Sequence, residues 1–383
     1  MNYLFVDLAL RYVNPTRNYQ PCLFGSGTLK FYGPGYVSEA CLELGVEAFI
    51  KSNGPFDAVI VTEHIAFSKM VENANAEKSF RQNYTFSFSS ELFSKRIEIY
   101  EELKSVALFK VLLTLETDYF HLTEEHISIA EDEFDLVVGW GEQFISKLPA
   151  ENDGYGDGFL KAANNNWFEF SKRAFKKIVP IAHFVGENEF CFSDIFSRST
   201  DFVVPGASYD KRKTAKYELS KMGLMKSEAF SIPYIGIARR FGIYPLNWEW
   251  FQDYYMRSFK QSIKDAKIAY TCGSSLNWPI RKYFEIPALG AVLFCNPCNG
   301  FEALGFKNGH NSIVCSPEDL PALGVKILSN PSEASAIASA GRELIFKHHT
   351  LSVRAQQCSN ALECALAGNW NGAVWDKGLL KPI

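Results

Sequence analysis

The stretch that decides the fold is RKYFEIPALGAVLFC, residues 281–295. Its first part combines two cations and one carboxylate with helix-forming apolar residues and stops at Gly290, while residues 292–295 form an apolar run typical of a buried strand. A short helix that leads directly into a buried strand is typical of α/β proteins. In such proteins ligands bind beyond the carboxyl ends of parallel strands, and helix N-termini attract anions. The stretch therefore predicts a site for a ligand that carries phosphate.

The rest of the chain repeats this alternation of short apolar runs and helical patterns, which predicts an α/β fold. We predict strands at residues 3–8, 57–62, 109–115, 135–139, 178–184, 200–205, 232–236, 267–271, 292–295 and 312–315. We predict helices at residues 38–51, 96–104, 210–222 and 253–265, and two more helices within residues 317–364. Long loops are expected at residues 11–36, 63–91 and 154–166. The simplest assembly is two doubly wound lobes that meet near residue 195.

Composition narrows the classes of function. The 383 residues are 47% hydrophobic, enough for two sizeable cores, and the net charge of −4 argues against a protein that mainly neutralises nucleic-acid phosphates. The nine cysteines are scattered and show no cysteine and histidine spacing of the zinc-ligand kind, which favours reduced thiols in a cytoplasmic protein. No run approaches the ~18 apolar residues of a membrane span. Any membrane contact is therefore expected to be peripheral.

Four motifs occur in a fixed order over residues 201–354. They are DFVVPGASYDKR at 201–212, the opening stretch at 281–291, LGFKNGHN at 304–311 with SPEDL at 316–320, and AGRE at 340–343 with HT at 349–350. In this order they resemble the second domain of GT-B glycosyltransferases, most closely the spore-maturation (CgeB-like) group within the glycosyl transferases group 1 family. The segments NPTR at 14–17 and FYGPG at 31–35 are similar to loops of the family's first domain.

The resemblance implies a GT-B fold, in which two Rossmann-like doubly wound lobes face each other across a cleft. Residues 1–195 would form the acceptor lobe and residues 196–359 the nucleotide-sugar lobe, with a tail at about 360–383 packing back on the first lobe. It implies transfer of a sugar from a UDP- or GDP-linked donor to a glycan, lipid-linked or other acceptor hydroxyl. Synthesis of surface polysaccharides or glycoconjugates, without a metal or other cofactor, is the expected setting.

Five residues are expected to hold the donor's nucleotide. Glu285 lies among apolar residues, where an unpaired carboxylate is costly, and in the resembling family this glutamate receives the ribose hydroxyls. Gly206 and Arg212 resemble the family's glycine turn and phosphate-side arginine. Arg281 or Lys282 is expected to face the diphosphate, and the pattern leaves open which of them does so, because a guanidinium and an ammonium bind phosphate differently.

Asn277 departs from the family pattern. Related retaining transferases often carry a glutamate eight residues before the ribose-binding one, and it contacts the transferred sugar; here the residue is an amide. We expect Asn277 to contact the donor, but an amide cannot supply the same charge to an oxocarbenium-like centre. The donor sugar and the stereochemical outcome therefore stay open.

Three residues of the first lobe are candidates for the base that activates the acceptor. Asp118 and His121 follow the predicted strand at 109–115, and Glu63 follows the one at 57–62, so all three are expected at the cleft. Each residue type is also a common cap or loop hydrogen-bonding group. Asp118 and His121 lack the further ligands that a metal site needs, so no metal is predicted.

Three alternatives remain at this stage. A glycosyltransferase that acts on modified DNA bases would share the donor lobe but need a basic acceptor groove, which the net charge disfavours. A nucleotide-sugar epimerase of similar architecture is a second alternative. A non-catalytic module that binds nucleotide sugars is a third, and Asn277 and Lys282 are its hints.

Overall fold

Two separate parallel sheets organise the chain in the computed structural model, which describes residues 1–12, 15–68, 77, 84–114, 123–148, 158–206, 211–225, 231–273 and 276–383. The first sheet contains β1 (Asn2–Val6), β3 (Thr28–Tyr32), β4 (Ala58–Thr62), β6 (Phe109–Thr114), β7 (Leu136–Gly139) and β8 (Ile178–Pro180), in the order β3-β1-β4-β6-β7-β8. All residues of β4 are buried, as expected for a central parallel strand that is covered on both faces. A short antiparallel ribbon of β2 (Arg11–Tyr12) and β5 (Tyr84–Thr85) lies outside this sheet.

Helices follow the strands of the first sheet. They are α1 (Pro15–Tyr19), α2 (Glu39–Leu44), α3 (Val46–Asn53), α4 (Glu63–Ala66), α5 (Ser90–Ser105), α6 (Glu124–Asp132) and α7 (Gly158–Arg173). Ser89 caps the N-terminus of helix α5, because its hydroxyl accepts a hydrogen bond from the backbone N–H of Leu92 at 3.3 Å. Because every neighbouring strand pair is parallel, the carboxyl ends of these strands share one edge of the sheet.

The second sheet is built in the same way. Its strands β9 (Thr200–Val203), β10 (Ala266–Thr271), β11 (Val292–Cys295) and β12 (Ile313–Val314) are parallel, in the order β12-β11-β10-β9. Its helices are α8 (Lys211–Lys221), α9 (Ser231–Arg240), α10 (Glu249–Lys264), α11 (Lys282–Ala288), α12 (Leu320–Leu328) and α13 (Pro331–His348). The opening stretch thus forms α11 and β11, joined at Gly290.

The end of the chain packs against the first sheet. Helix α14 (Leu351–Leu366) contributes Cys358 and Leu362 to the hydrophobic cluster that contains Tyr3, Phe5 and Val179. The hairpin of β13 (Ala373–Asp376) and β14 (Leu379–Pro382) follows, and the indole of Trp375 donates to the backbone carbonyl of Pro180 at 2.6 Å. The lobe boundaries given above remain a prediction.

Several predicted elements differ from the structure. Residues 232–236, predicted as a strand, lie in helix α9, because a short apolar run does not by itself distinguish a buried strand from a helix. The helix predicted at 38–51 is two helices, since Gly45 has a φ of +84°. Residues 317–364 contain three helices rather than two. The expected loops at 11–36 and 154–166 contain β3 and the start of α7.

Among the described helices, none is both long enough and apolar enough to cross a membrane.

Candidate functional site

The turn after β9 brings cations to the carboxyl edge of the second sheet. Gly206 has a φ of +89°, and a Cβ atom there would lie 2.7 Å from Cε of Lys282 and 3.2 Å from Nη1 of Arg212. A side chain at this position would therefore displace one or both cations. The predicted residues Gly206, Arg212 and Lys282 are thus brought together by the fold.

A third cation, Lys216, completes this cluster. It lies one helical turn after Arg212 on α8, and its ammonium group donates to the carbonyl of Gly206 at 3.1 Å. Arg212 is fully buried and donates to the carbonyl of Pro205 at 3.4 Å. The half-buried Lys282 has its Nζ atom 5.5 Å from the centre of the Phe259 ring. We call Arg212, Lys216 and Lys282 the cation cluster.

The charges of the cation cluster oppose one another. Burial, followed by the nearby charge of Arg212, lowers the pKa of Lys216 to about 8. The same two causes, in the same order, lower the pKa of Lys282 to about 8. A turn that brings three cations together is suited to binding an anion.

Arg281 has a different environment from its neighbour Lys282. Its Nε atom donates to Glu285 Oε1 at 2.8 Å, its Nη2 atom to Glu189 Oε2 at 2.6 Å, and its Nη1 atom to Thr16 Oγ1 at 3.1 Å and to the carbonyl of Phe184. Burial opposes the charge of this guanidinium, but Glu285 and Glu189 outweigh that effect and raise its pKa. The structure therefore separates the two candidates: Arg281 joins the lobes, and Lys282 faces the glycine turn.

Glu285 is buried and paired with Arg281, in the first turn of α11. Its Oε1 atom accepts from Arg281, while its Oε2 atom has no hydrogen bond to any residue that the structure describes. Glu189 reinforces the arrangement, because it also forms an ion pair with Lys260 at 2.5 Å. Arg281 thus fixes one of the two carboxylate oxygens of Glu285.

Asn277 lies in the loop after β10, near the junction of the two lobes. Its φ of +55° is in the left-handed region, which asparagine tolerates better than most residues. Its side-chain amide donates to Asn299 Oδ1 at 3.1 Å, and the amide of Asn299 donates to Ser146 Oγ at 3.1 Å. Asn299 therefore connects Asn277 to the first lobe.

Of the three candidates for the base, Glu63 lies within the described residues. Glu63 is buried at the start of α4, directly beyond the carboxyl end of β4, as the sequence predicts. Asp118 and His121 lie outside the described residues, so their role stays a prediction. Nearby, the buried carboxylate of Asp7 accepts from Thr62 Oγ1 at 2.5 Å and from Arg17 Nη2 at 2.6 Å.

The sequence-based reasoning missed two residues, Lys216 and His183. Lys216 lies four residues after Arg212, and this spacing places both side chains on the same face of a helix. That spacing is the sequence feature that points to Lys216. The strand predicted at 178–184 would place His183 in its interior, but β8 ends at Pro180. His183 therefore lies beyond the strand end. Its Nδ1 atom is 3.3 Å from Thr16 Oγ1, and its ring packs edge-on against Trp140.

The ring of His183 is neutral at physiological pH. Burial, then the charges of Arg281, Lys282 and Arg354, lower its pKa to about 3. His183 is therefore suited to hydrogen bonding at the edge of the first lobe rather than to carrying charge. Among the described residues no group of histidine, cysteine, aspartate or glutamate side chains is arranged to hold a metal ion.

Comparison with known proteins identifies the fold. Residues 239–360 match the model of a family described as glycosyl transferase-like. The search of curated protein sequences returned no match. The chain is similar in structure to the Anabaena protein HepE in complex with UDP and glucose, with a TM-score of 0.52 and 10% identity over 95% of this chain and 99% of that one.

Two further solved structures are similar along nearly the whole chain. Sucrose-phosphate synthase from Thermosynechococcus elongatus has a TM-score of 0.52 and 11% identity, over 96% of this chain and 100% of that one. A glycosyltransferase from Rickettsia africae has a TM-score of 0.51 and 10% identity, over 96% and 99%. The predicted fold class is confirmed. This chain has the GT-B fold of the similar structures, and the segment that matches the glycosyl transferase-like family model includes Lys282 and Glu285.

Proposed function

We propose that this protein is a glycosyltransferase that moves a sugar from a UDP-linked donor to an acceptor hydroxyl. The cation cluster around Gly206 carries the proposal, because it places three positive charges where a GT-B fold has its cleft-facing strand ends. HepE has been solved with UDP and glucose bound, which supports the choice of nucleotide. The acceptor is proposed to be a glycan or lipid-linked hydroxyl in glycoconjugate synthesis.

The cation cluster would act on the diphosphate of the donor. When the bond to the sugar breaks, negative charge grows on the leaving diphosphate, and fixed cations in a partly dehydrated site stabilise that charge without reorganising. Gly206 would let the phosphates approach the backbone closely. In this proposal Arg212, Lys216 and Lys282 supply the charge that other transferases obtain from a metal ion.

Glu285 would bind the ribose. A carboxylate oxygen accepts hydrogen bonds from hydroxyl groups, and the Oε2 atom of Glu285 is available while Arg281 holds Oε1. The pairing with Arg281 orients the carboxylate before the ligand arrives. The free energy of binding then includes little cost for ordering this side chain.

The acceptor would lie against the first lobe. A general base works best when its pKa is near the working pH, so His183, with a pKa of about 3, is a poor base and a better hydrogen-bonding group for the acceptor. Proton removal is assigned to Asp118, His121 or Glu63, which all follow strands of the first sheet.

UDP binding to Lys282→Ala tests the donor site. A lost charge-assisted contact is worth ~1.5–3 kcal/mol, so we expect UDP affinity by calorimetry to fall at least about tenfold. Lys221→Ala is the matched control, because Lys221 is an exposed lysine on the same helix as Arg212 and Lys216. Equal UDP affinity in Lys282→Ala and the native protein would overturn the assignment.

The same titrations have a predicted pH dependence. With pKa values of about 8, Lys216 and Lys282 lose their protons as pH rises from 7 to 9.5, while the phosphates of UDP stay ionised because their last pKa is about 6. UDP affinity should therefore fall over this range, and less steeply in Lys282→Ala.

Sugar transfer is tested by measuring nucleotide release from a panel of UDP- and GDP-sugars in the presence of acceptors. If the protein binds nucleotide sugars but releases no nucleotide with any acceptor, the protein is a non-catalytic binding module and not a transferase.

A further inference from the structure

The second lobe exposes a row of large apolar side chains beside the place where it contacts the first lobe. We call this the aromatic patch and define it by Ile237, Phe241, Ile243, Trp248, Trp250 and Tyr254. Phe241 is 77% exposed, Trp250 63% and Ile237 56%. Large apolar side chains exposed on neighbouring segments are typical of an interaction site.

The residues of the aromatic patch lie on packed neighbouring elements. The backbone N–H of Ile243 donates to the carbonyl of Ala238 at 3.0 Å, which folds the chain after α9 back against that helix. The rings of Trp248 and Trp250 stack with their centres 5.7 Å apart. Gly242 has a φ of +71° and no neighbouring atom near its Cβ position, so Phe241 and Ile243 flank an open turn.

The charges around the aromatic patch leave it with exposed arginines. Arg257 shares a face of α10 with Trp250 and Tyr254, and Arg240 ends α9 next to Phe241; both arginines are exposed. Glu249 and Asp253 of α10 both pair with Arg11 of the first lobe. Exposed cations next to apolar rings suit a surface that carries negative charge.

The aromatic patch also lies next to the junction of the two lobes. Thr85 Oγ1 donates to the carbonyl of Asn247 at 3.2 Å, and the amide of Gln252 donates to Thr85 Oγ1 at 2.9 Å. Thr85 belongs to the ribbon with Arg11, which follows β1 beyond its carboxyl end. A surface that touches the patch would thus lie beside the edge of the first lobe where the acceptor is proposed to bind.

We propose that the aromatic patch docks on a phospholipid membrane that contains anionic lipid, and that the acceptor hydroxyl belongs to a molecule anchored in that membrane. The second clause rests on the proposed function; the first does not. Tryptophan and phenylalanine next to arginine are the residues that settle at a lipid–water interface, where a ring is buried and a polar group stays wet. Docking would hold the interlobe opening next to the membrane.

Flotation of the full chain with lipid vesicles tests the docking surface. We expect binding to vesicles of phosphatidylcholine with phosphatidylglycerol, and at least about tenfold weaker partition for the double variant Phe241→Ser, Trp250→Ser, because each exposed ring contributes apolar area to insertion. Leu44→Ser is the control, since Leu44 is 74% exposed on α2 of the first lobe. Arg240→Gln should reduce the preference for anionic over neutral vesicles.

Two results would overturn the docking proposal. One is the absence of vesicle binding by the native chain, or equal binding by the double variant. The other is a native dimer in sedimentation velocity that the double variant converts to a monomer, because a second copy would then cover the patch. UDP affinity, measured by calorimetry on the same samples, should be unchanged in the double variant. If the native chain binds UDP but not vesicles, only the docking proposal fails and the proposed transferase function is unaffected. If the native chain does not bind UDP, the proposed transferase function fails, whatever the vesicle result.

Discussion

Arg281 and Lys282 are adjacent in the sequence but have opposite surroundings. Successive residues at the start of a helix point about 100° apart, so one side chain reaches toward the first lobe and the other toward the turn at Gly206. Arg281 pairs with two carboxylates, whereas Lys282 lies close to Arg212, whose charge lowers the pKa of Lys282. A pattern that contains both residues cannot distinguish them, because the difference comes from groups elsewhere in the chain.

At the residue scale, Glu285→Gln separates the ribose contact from the structural ion pair. The amide oxygen can still accept from Arg281, but the charge that strengthens a hydrogen bond to ribose is lost. We expect native protein to bind UDP about tenfold more tightly than 2′,3′-dideoxy-UDP, and Glu285→Gln to bind both with similar affinity, as measured by calorimetry. A variant that still prefers UDP tenfold would remove Glu285 from the ribose site.

At the element scale, the end of the chain connects the two lobes. Arg354 of α14 donates to the carbonyls of Ala182 at 3.1 Å and His183 at 3.3 Å, and its guanidinium lies 4.5 Å from the centre of the Trp375 ring. Helix α14 and the terminal hairpin therefore hold the segment that carries His183. The position of His183 depends on residues more than 170 positions away in the sequence.

The unfolding free energy of Trp375 variants measures this support. Trp375→Ala removes a buried ring and should lower the unfolding free energy by ~3–5 kcal/mol, while Trp375→Phe keeps the ring, loses the hydrogen bond to Pro180 and should lower it by ~1–3 kcal/mol. Urea unfolding gives both values. Trp250→Ala is the control, because an exposed tryptophan should change stability by less than about 1 kcal/mol. Equal losses at positions 375 and 250 would contradict the support role.

At the scale of the whole molecule, two kinds of contact hold the lobes together. One is buried: a hydrophobic cluster that runs from Val59 and Trp140 to Phe284 and Leu293, next to the Arg281–Glu189 pair. The other is exposed, where Arg11 pairs with Glu249 and Asp253. Exposed ion pairs contribute little to stability, so this second contact is suited to opening and closing without unfolding.

Arg11→Ala should therefore loosen the lobes without destabilising them. We expect its unfolding free energy to differ from native by less than about 1 kcal/mol, because the lost pairs are exposed. Small-angle X-ray scattering of the ligand-free variant should give a larger radius of gyration than the native protein. Lys381→Ala, which breaks an exposed pair within the terminal hairpin, should keep the native radius. An unchanged radius in Arg11→Ala would show that these pairs do not hold the lobes.

Much of the architecture was predictable because it depends on local patterns. The run at 292–295 became β11 with the predicted bounds, and short apolar runs between helical segments correctly predicted parallel sheets. The run at 232–236 became a helix instead, since its neighbours in space, rather than its own composition, decide between the two structures. The order of the four motifs predicted the GT-B fold, and the similar structures confirm that fold.

The sequence by itself determined the α/β layers and the approach of the turn at Gly206 and Arg212 to the segment that starts at Arg281, because parallel strands bring their carboxyl ends, and the turns that follow them, to one edge. Only the tertiary structure decided that the guanidinium of Arg281 forms hydrogen bonds with residues of the first lobe. Its partners Thr16 and Glu189 lie 265 and 92 positions away. Their approach depends on how the lobes pack as a whole, and local patterns carry no information about that distance.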